Sequence, residues 1–191
     1  EEGAFSVEMG REYLQRAKTM GFDITVHADQ FSAGGSALAV EVGALSADHL
    51  EASGPREIER LANSEVIAIA LPGASLGLGC DFTPARKLLD ADGALAIASD
   101  WNPGSGPMGD LLCQAAILGT YEKLSTAEVL AGITFRAAAA LGMKDRGRLI
   151  KGNLADFNLF EGDDYREILY HQGRLKPARV YKRGELIIPC L

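Results

Sequence analysis

Histidine and carboxylate side chains stand at the ends of three short apolar segments. His27 lies at the end of DITVHA, His49 at the end of ALSADHL, and Asp100 directly after ALAIAS. Imidazole nitrogens and carboxylate oxygens bind divalent transition metals, and both groups transfer protons near neutral pH. Because parallel strands end on the same side of a sheet, the three clusters are expected to share one face. The pattern therefore predicts an enzyme rather than a scaffold.

Each of these residues also has a purely structural interpretation. His27 can be a hydrogen-bonded residue at the rim of a core, and Asp100 can belong to an Asx turn, because the following NPGSGP is typical of turns. His49, between Asp48 and Glu51, can bind a metal, shuttle protons, stabilise a developing oxyanion or simply close its strand. The occurrence of all three residues at strand ends favours the catalytic interpretation.

Amide and glycine residues beside these positions are candidates for substrate binding. Gln30 and Asn102 carry amides that both donate and accept hydrogen bonds, which suits recognition of an amide or imidazolone edge. Gly104 and Ser105 can offer backbone N–H groups and a hydroxyl to a substrate carboxylate. The Gly-Gly pair before SALAVEVG and the segment LPGASLG are predicted to be loops, although flexibility alone explains glycine equally well.

The chain alternates between predicted helices and strands. Ser6 and Gly21 are predicted to cap the first helix, and further helices are predicted over 56–63, 82–92, 111–124 and 125–142. In the last of these, Ser125 and Glu128 have the spacing of a capping box. The four strands are predicted to end at Val26, Leu45, Leu71 and Ala98.

Uniformly apolar strands that alternate with helices indicate an α/β fold with a parallel sheet. A complete (β/α)8 barrel has eight strands in roughly 250 residues, so four strands predict half of one. We predict the second half of a TIM-type barrel over residues 1–147. The short β-type runs RLIKG, ADFNLFEG and ARVYKRGELI predict a separate small β segment over residues 148–191, in which His171 is expected at the surface.

Composition excludes several classes of protein. The chain has 191 residues and a net charge of -7, with no basic run that would indicate nucleic-acid binding. No apolar run is long enough to span a membrane, and the amino-terminal residues do not resemble a secretory signal. The three cysteines, Cys80, Cys113 and Cys190, are widely spaced, which fits a reducing compartment. A cytoplasmic protein is predicted, and its start without Met suggests that it was cut from a longer chain.

The motifs HADQFSAGG, SADHLE and SDWNPGS, in this order, resemble the imidazolonepropionases, a family of the metal-dependent amidohydrolase superfamily. The resemblance covers essentially the whole chain and corresponds to the carboxy-terminal half of such proteins. The segment GRLIKGNLADFNLFEG looks like part of the superfamily's carboxy-terminal β-sandwich.

The resemblance implies hydrolysis of the ring amide of 4-imidazolone-5-propanoate to N-formimidoyl-L-glutamate, with one Zn²⁺ or iron ion. It implies that His27 and Asp100 bind the metal, that His49 lies near the catalytic water, and that substrate is contacted by Gln30, Asn102, Gly104 and Ser105. Some relatives carry Glu at the position of Gln30. Because an amide cannot act as a general base, that role falls here to Asp100 or His49.

The family's HxH metal-binding pair, which belongs to the first barrel strand, is absent from these residues. The resemblance therefore implies a partner, the amino-terminal half of the barrel, besides a small-molecule substrate and a possible second copy of the chain. Two other hypotheses remain. The chain can be a non-catalytic half-barrel that acts only with a partner, or its enzyme can act on another cyclic amide or an aminated heterocycle.

Overall fold

The computed structural model describes residues 3–187, so Cys190 lies outside the described residues. Four short strands alternate with helices in the first half of the chain. The strands are β1 (Thr25–Ala28), β2 (Ser46–His49), β3 (Ile67–Ala70) and β4 (Leu95–Ile97). The helices are α1 (Val7–Thr19), α2 (Gly35–Val42), α3 (Pro55–Ala62), α4 (Pro72–Leu78) and α5 (Ala85–Asp90).

Helices α6 (Leu111–Tyr121), α7 (Thr126–Gly132) and α8 (Phe135–Ala140) follow the fourth strand. Three antiparallel strands then form a second sheet, β5 (Phe157–Leu159), β6 (Arg179–Lys182) and β7 (Glu185–Ile187), with the short helix α9 (Glu167–Tyr170) between the first two. RLIKG is not a strand, contrary to expectation, and His171 is exposed as predicted. No helix within residues 3–187 is long and apolar enough to cross a bilayer.

The first sheet is parallel throughout, with the order β1-β2-β3-β4. The α/β class with a parallel sheet, predicted from the apolar runs, is confirmed. The helix starts predicted at Ser6 and Ser125 are confirmed as well, whereas the C-cap of α1 is Met20, one residue before the predicted Gly21. Ser6 accepts a hydrogen bond from the backbone N–H of Met9 at 3.2 Å, and Ser125 and Glu128 form the reciprocal capping box.

The predicted strand ends are wrong by one to four residues. The largest error is at β2, where the strand was expected to end at Leu45 but is instead formed by Ser46–His49. This polar segment is extended because β1 pairs with it on one side and β3 on the other, which outweighs its low strand propensity. Strand β1 continues past Val26 to Ala28, whereas β3 and β4 each end one residue early.

Three predictions around the helices are also wrong. LPGASLG, expected to be a loop, forms α4, and Pro72 occupies its first turn, where a missing N–H is tolerated. The helix predicted over 82–92 is shorter, because Pro84 lies at its N-cap position. The single helix predicted over 125–142 is divided between α7 and α8 at Thr134, whose backbone is not helical.

The two faces of the parallel sheet differ in burial. Side chains alternate between faces along each strand, and the register shows which residues share a face. One face, here called the buried face, consists of buried small and aliphatic side chains: Val26, Ala28, Ala47, Ala68, Ala70, Leu95 and Ile97. The other, here called the open face, has exposed residues on β1 and half-buried ones on β2 and β3: Thr25, His27, Asp48, Ile67 and Ile69.

Candidate active site

The carboxyl ends of three strands have left-handed backbone at residues other than glycine. The φ angles are 51° at Asp29, 83° at His49, 72° at Leu50 and 46° at Asp100. Such conformations cost of order 1–3 kcal/mol each and persist where the surrounding structure holds them, commonly at active sites. The predicted site residues His49 and Asp100 are both among them. This clustering supports a functional site at this edge of the sheet.

His27 and His49 come together although strand alternation would separate them. His27 is paired in register with Asp48, so it lies on the open face, and His49 would be expected on the opposite face. The left-handed backbone at His49 ends the extended geometry, and the two imidazole rings lie 4.2 Å apart between centroids. Two of the three predicted metal-binding or catalytic side chains are therefore in direct contact.

Asp48 adds a carboxylate to this cluster. Its Oδ1 accepts a hydrogen bond from the Ser46 hydroxyl at 2.8 Å. Burial raises the pKa of Asp48, against the lowering effect of Ser46 and of the His49 and His27 imidazoles, while Asp100 adds to the increase. All four groups thus lie within electrostatic reach of one another. In the sequence, Asp48 stands out only as a neighbour of His49, and its spacing of two residues from Ser46 was the available signal.

Asp29, in the same HAD motif, has a structural role. Its side chain is fully buried and accepts hydrogen bonds from the backbone N–H of Ser36 at 3.1 Å and from the Ser53 hydroxyl at 2.8 Å, besides one from the Ser36 hydroxyl. These bonds join the end of β1 to the start of α2 and to the segment before α3. Gln30, the predicted substrate-binding amide, follows Asp29 and is also buried.

The loop after β4 is organised by Asn102. Its Oδ1 accepts from the backbone N–H groups of Gly104 and Ser105 at 2.8 and 2.9 Å, and its Nδ2 donates to the Asp100 carboxylate at 3.1 Å. The N–H groups that were expected to face a substrate carboxylate are therefore used within the loop. Nδ2 also donates to the Ser105 hydroxyl at 3.3 Å, which leaves that hydroxyl's own proton free to donate elsewhere.

Helix α4 packs closely against this loop at Gly77. A Cβ atom at Gly77 would overlap the backbone carbonyl oxygen of Ser105, so only glycine allows this approach. At the other end of the loop, the buried amide of Gln114 donates to the carbonyl oxygen of Met108. The turn that carries Asp100 and Asn102 is thus held by packing as well as by its own hydrogen bonds.

The donor set fits part of a metal site. Imidazole from His27 and carboxylate from Asp100 suit zinc or iron. Among residues 3–187, however, no group of three or more His, Cys, Asp or Glu side chains is arranged to hold an ion. Any ion bound by these two residues would need further ligands from elsewhere.

Comparison with known families agrees with this geometry. Residues 3–186 match the model of the amidohydrolase family. The chain belongs to the amidohydrolase family. It is 46% identical over 185 residues to an imidazolonepropionase of Deinococcus radiodurans, an alignment covering 96% of this chain and 46% of that protein. An imidazolonepropionase of Herpetosiphon aurantiacus is 43% identical over 98% of this chain and 44% of its own length. This amidohydrolase thus spans about half the length of the curated relatives it matches.

Solved structures share the fold of this amidohydrolase. A variant of atrazine chlorohydrolase from Arthrobacter aurescens, in complex with zinc and atraton, has a TM-score of 0.76 at 19% identity. An adenosine deaminase from Xanthomonas campestris with bound zinc also has a TM-score of 0.76, at 21% identity. The alignments cover 96% of this chain but only 48% and 49% of the other two. These likenesses establish a common fold over that part.

Proposed function

We propose that the chain is the carboxy-terminal half of an imidazolonepropionase, which hydrolyses 4-imidazolone-5-propanoate to N-formimidoyl-L-glutamate in histidine degradation. The observation that carries the proposal is the cluster of His27, His49, Asp48 and Asp100 at one edge of the sheet, in a chain 46% identical to a curated imidazolonepropionase. The reaction adds water across the carbon–nitrogen bond of a cyclic amide. It therefore needs a proton acceptor for the water and a proton donor for the leaving nitrogen.

In this proposal His27 and Asp100 hold one Zn²⁺ or iron ion, and the remaining ligands come from the other half of the barrel. When bound, the ion supplies Lewis acidity, which lowers the pKa of water and polarises a carbonyl oxygen. Zinc in the Arthrobacter and Xanthomonas structures supports a metal ion as the cofactor. The imidazole and carboxylate donors suit zinc and iron alike.

The chain's own residues then divide the remaining work. Asp100 accepts a proton from the attacking water and returns it to the ring nitrogen as the amide bond breaks. His49, in its doubly protonated form, donates from Nε2 and stabilises the negative charge that develops on the carbonyl oxygen. Gln30 binds the imidazolone edge. The loop of Asn102, Gly104 and Ser105 binds the propanoate carboxylate. The Ser105 hydroxyl donates the hydrogen bond to it, because Ser105 only accepts from Asn102 within the loop.

The missing half of the barrel accounts for unpaired edges and exposed apolar groups. Within the described residues, β1 pairs only with β2, and β4 only with β3. A cavity of about 500 Å³ lies between the free edge of β1 and α1, lined in part by Phe5, Tyr13 and His27. Unpaired strand edges beside exposed apolar side chains are normally covered. We propose that the amino-terminal half of the protein closes the barrel here.

The antiparallel sheet supports the second part of the proposal. We assign residues 1–147 to the half-barrel and 148–191 to one part of a β-sandwich. Large apolar side chains are exposed on or near this sheet, at Leu149, Ile150, Leu159, Leu186 and Ile187. A three-stranded sheet with such a surface is suited to packing against strands from the amino-terminal half.

The proposal is tested by assaying the complete protein for loss of imidazolonepropionate absorbance, beside a panel of other cyclic amides and aminated heterocycles. We expect Asp100→Asn to lower kcat by about 10²–10⁴-fold, the range for loss of a general acid–base group. His27→Gln should lower the metal content of the purified protein. The matched control is His171→Gln, since His171 is exposed and distant in sequence from the site.

Two outcomes would overturn the proposal. Full activity of a correctly folded Asp100→Asn protein would remove Asp100 from the chemistry. Turnover of another member of the panel, with none of imidazolonepropionate, would reject the substrate while leaving the family assignment intact.

A further inference from the structure

Glu51 is a buried carboxylate that the proposed chemistry does not use. It lies two residues after β2, and its side chain is 3% exposed. Its Oε1 accepts a hydrogen bond from the Ser75 hydroxyl of α4 at 2.8 Å and lies 3.7 Å from Nδ1 of His49, whose side chain is 5% exposed. A carboxylate is rarely buried so deeply unless a partner stabilises it.

Two atoms of this pair have no hydrogen-bond partner. They are His49 Nδ1 and Glu51 Oε2, both inaccessible to solvent. Leaving a buried polar group unsatisfied costs about 1–3 kcal/mol. The distance between Nδ1 and Oε1 exceeds a usual hydrogen bond by about 0.8 Å, so a small rotation of either side chain would satisfy Nδ1. Bonds of this kind are often long before substrate binds.

Among the groups around His49, Glu51 is the carboxylate that lies next to Nδ1. The Thr83 hydroxyl donates to the backbone carbonyl oxygen of His49, which holds its main chain, and the His27 ring lies against the imidazole. Asp48 interacts electrostatically with His49, but its Oδ1 is engaged by Ser46. Ser75 in turn anchors Glu51 from the helix that follows β3.

We infer that Glu51 is a positioning residue, which keeps a proton on Nδ1 of His49 and thereby makes Nε2 the nitrogen that faces the reaction. A carboxylate accepts a hydrogen bond but cannot donate one, so it stabilises only the forms of imidazole that carry hydrogen on the adjacent nitrogen. Ser75 fixes the carboxylate, and the carboxylate fixes the ring. The inference concerns the arrangement of His49 itself, whereas its catalytic consequence rests on the function proposed above.

Ring-nitrogen NMR of the metal-free protein labelled with ¹⁵N-histidine tests the inference directly. The chain has three histidines, and a His49→Gln variant identifies the His49 signals. We expect neutral His49 to be mainly the Nδ1–H tautomer. In Glu51→Met, whose side chain has similar length but no comparable acceptor, the population should shift to the Nε2–H form that free imidazole side chains prefer. Glu51→Gln retains an acceptor oxygen and should preserve the Nδ1–H form.

Kinetics of the complete metal-loaded protein provide a second measurement. Loss of an outer hydrogen-bonding partner commonly lowers activity about 10–100-fold, so kcat of Glu51→Met should fall by this amount while KM changes less than about two-fold. Glu57→Gln, which alters a half-buried carboxylate on α3, is the control and should match the wild type. A wild-type His49 in the Nε2–H form would overturn the inference even if no variant folds. The NMR result does not depend on the substrate, so failure of the proposed function would leave it standing.

Discussion

The two faces of the parallel sheet are built from the same strands but from different kinds of side chain. The buried face carries small or aliphatic groups, of which Ala28, Ala68 and Ala70 are 1% exposed or less. On the open face, Thr25 of β1 is exposed and Asp48 of β2 is half-buried. One-residue alternation therefore separates an apolar surface from a surface that carries polar groups.

This difference assigns separate physical tasks to the two faces. The buried face packs closely against helices: a Cβ atom at Gly35 of α2 would come within 2.9 Å of the Ala28 Cβ. Such packing stabilises the fold through burial of apolar area. On the open face His27 is accessible to solvent, and the carboxylates of Asp48 and Asp100 lie at the carboxyl ends of the strands. Stability and chemistry should therefore respond to different substitutions.

The largest effect on stability is expected from a pair of identical substitutions on opposite faces. Ile97 on β4 is 1% exposed, whereas Ile69 on β3 is half-buried on the open face. Ile97→Ala should lower the free energy of unfolding by about 2–5 kcal/mol through lost burial and a cavity. Ile69→Ala should lower it by about 1 kcal/mol, because less area leaves water on folding. Urea unfolding of the 191-residue chain measures both values.

Repeating the pair in the complete protein sharpens the comparison. If the amino-terminal half covers the open face, the loss from Ile69→Ala should approach that from Ile97→Ala. Equal losses in the 191-residue chain by itself would show that the two faces do not differ as described.

The fold class was predictable because its signals are local. Apolar runs indicated the parallel sheet, and Ser6 and Ser125 marked helix starts through hydrogen bonds within one turn. The segment Ser46–His49 was assigned incorrectly because its extended form depends on pairing with strands more than 15 residues away along the chain. Helix α4 was missed because its glycines serve close packing rather than flexibility.

The site was predictable in its chemical types but not in its contacts. His27, His49 and Asp100 were recognisable from their places after apolar runs. The contact between the two imidazoles depends on a left-handed backbone at His49, and the residue type does not predict that conformation. The pairing of Glu51 with His49 and Ser75 joins segments 24 residues apart and could not be read from spacing.

An intermediate effect on stability is expected where α4 contacts the loop after β4. Gly77→Ala would normally favour a helix by up to about 1 kcal/mol, but its Cβ would overlap the Ser105 carbonyl oxygen. We expect a net loss of about 1–3 kcal/mol in unfolding free energy and a lower kcat, since the loop carrying Asn102 must shift. In Gly10→Ala the new Cβ meets one side-chain atom, Cδ2 of the buried Leu38, rather than backbone, so this control should lose less unfolding free energy than Gly77→Ala and keep kcat. Equal behaviour of the two variants in urea unfolding would contradict the proposed support.

The smallest effect is expected at a contact that belongs to neither face. Asp110 caps α6 and pairs with Lys176, and the hydrogen bond from Lys176 holds the pKa of Asp110 below its ordinary value of 3.8. A lowered folded-state pKa means that the pair stabilises the protein above this value and that the stabilisation is lost as the pH falls through the folded pKa. Asp110→Asn keeps an oxygen that can cap α6 but loses the ion pair with Lys176. Its free energy of unfolding at pH 7 should therefore be lower by about 0.2–1 kcal/mol, as for other exposed pairs. Urea unfolding at pH 7 and at successively lower pH values measures the difference, which should shrink as the pH falls below the ordinary value of 3.8. A loss of equal size at every pH would assign the effect to packing against Gly173 rather than to charge.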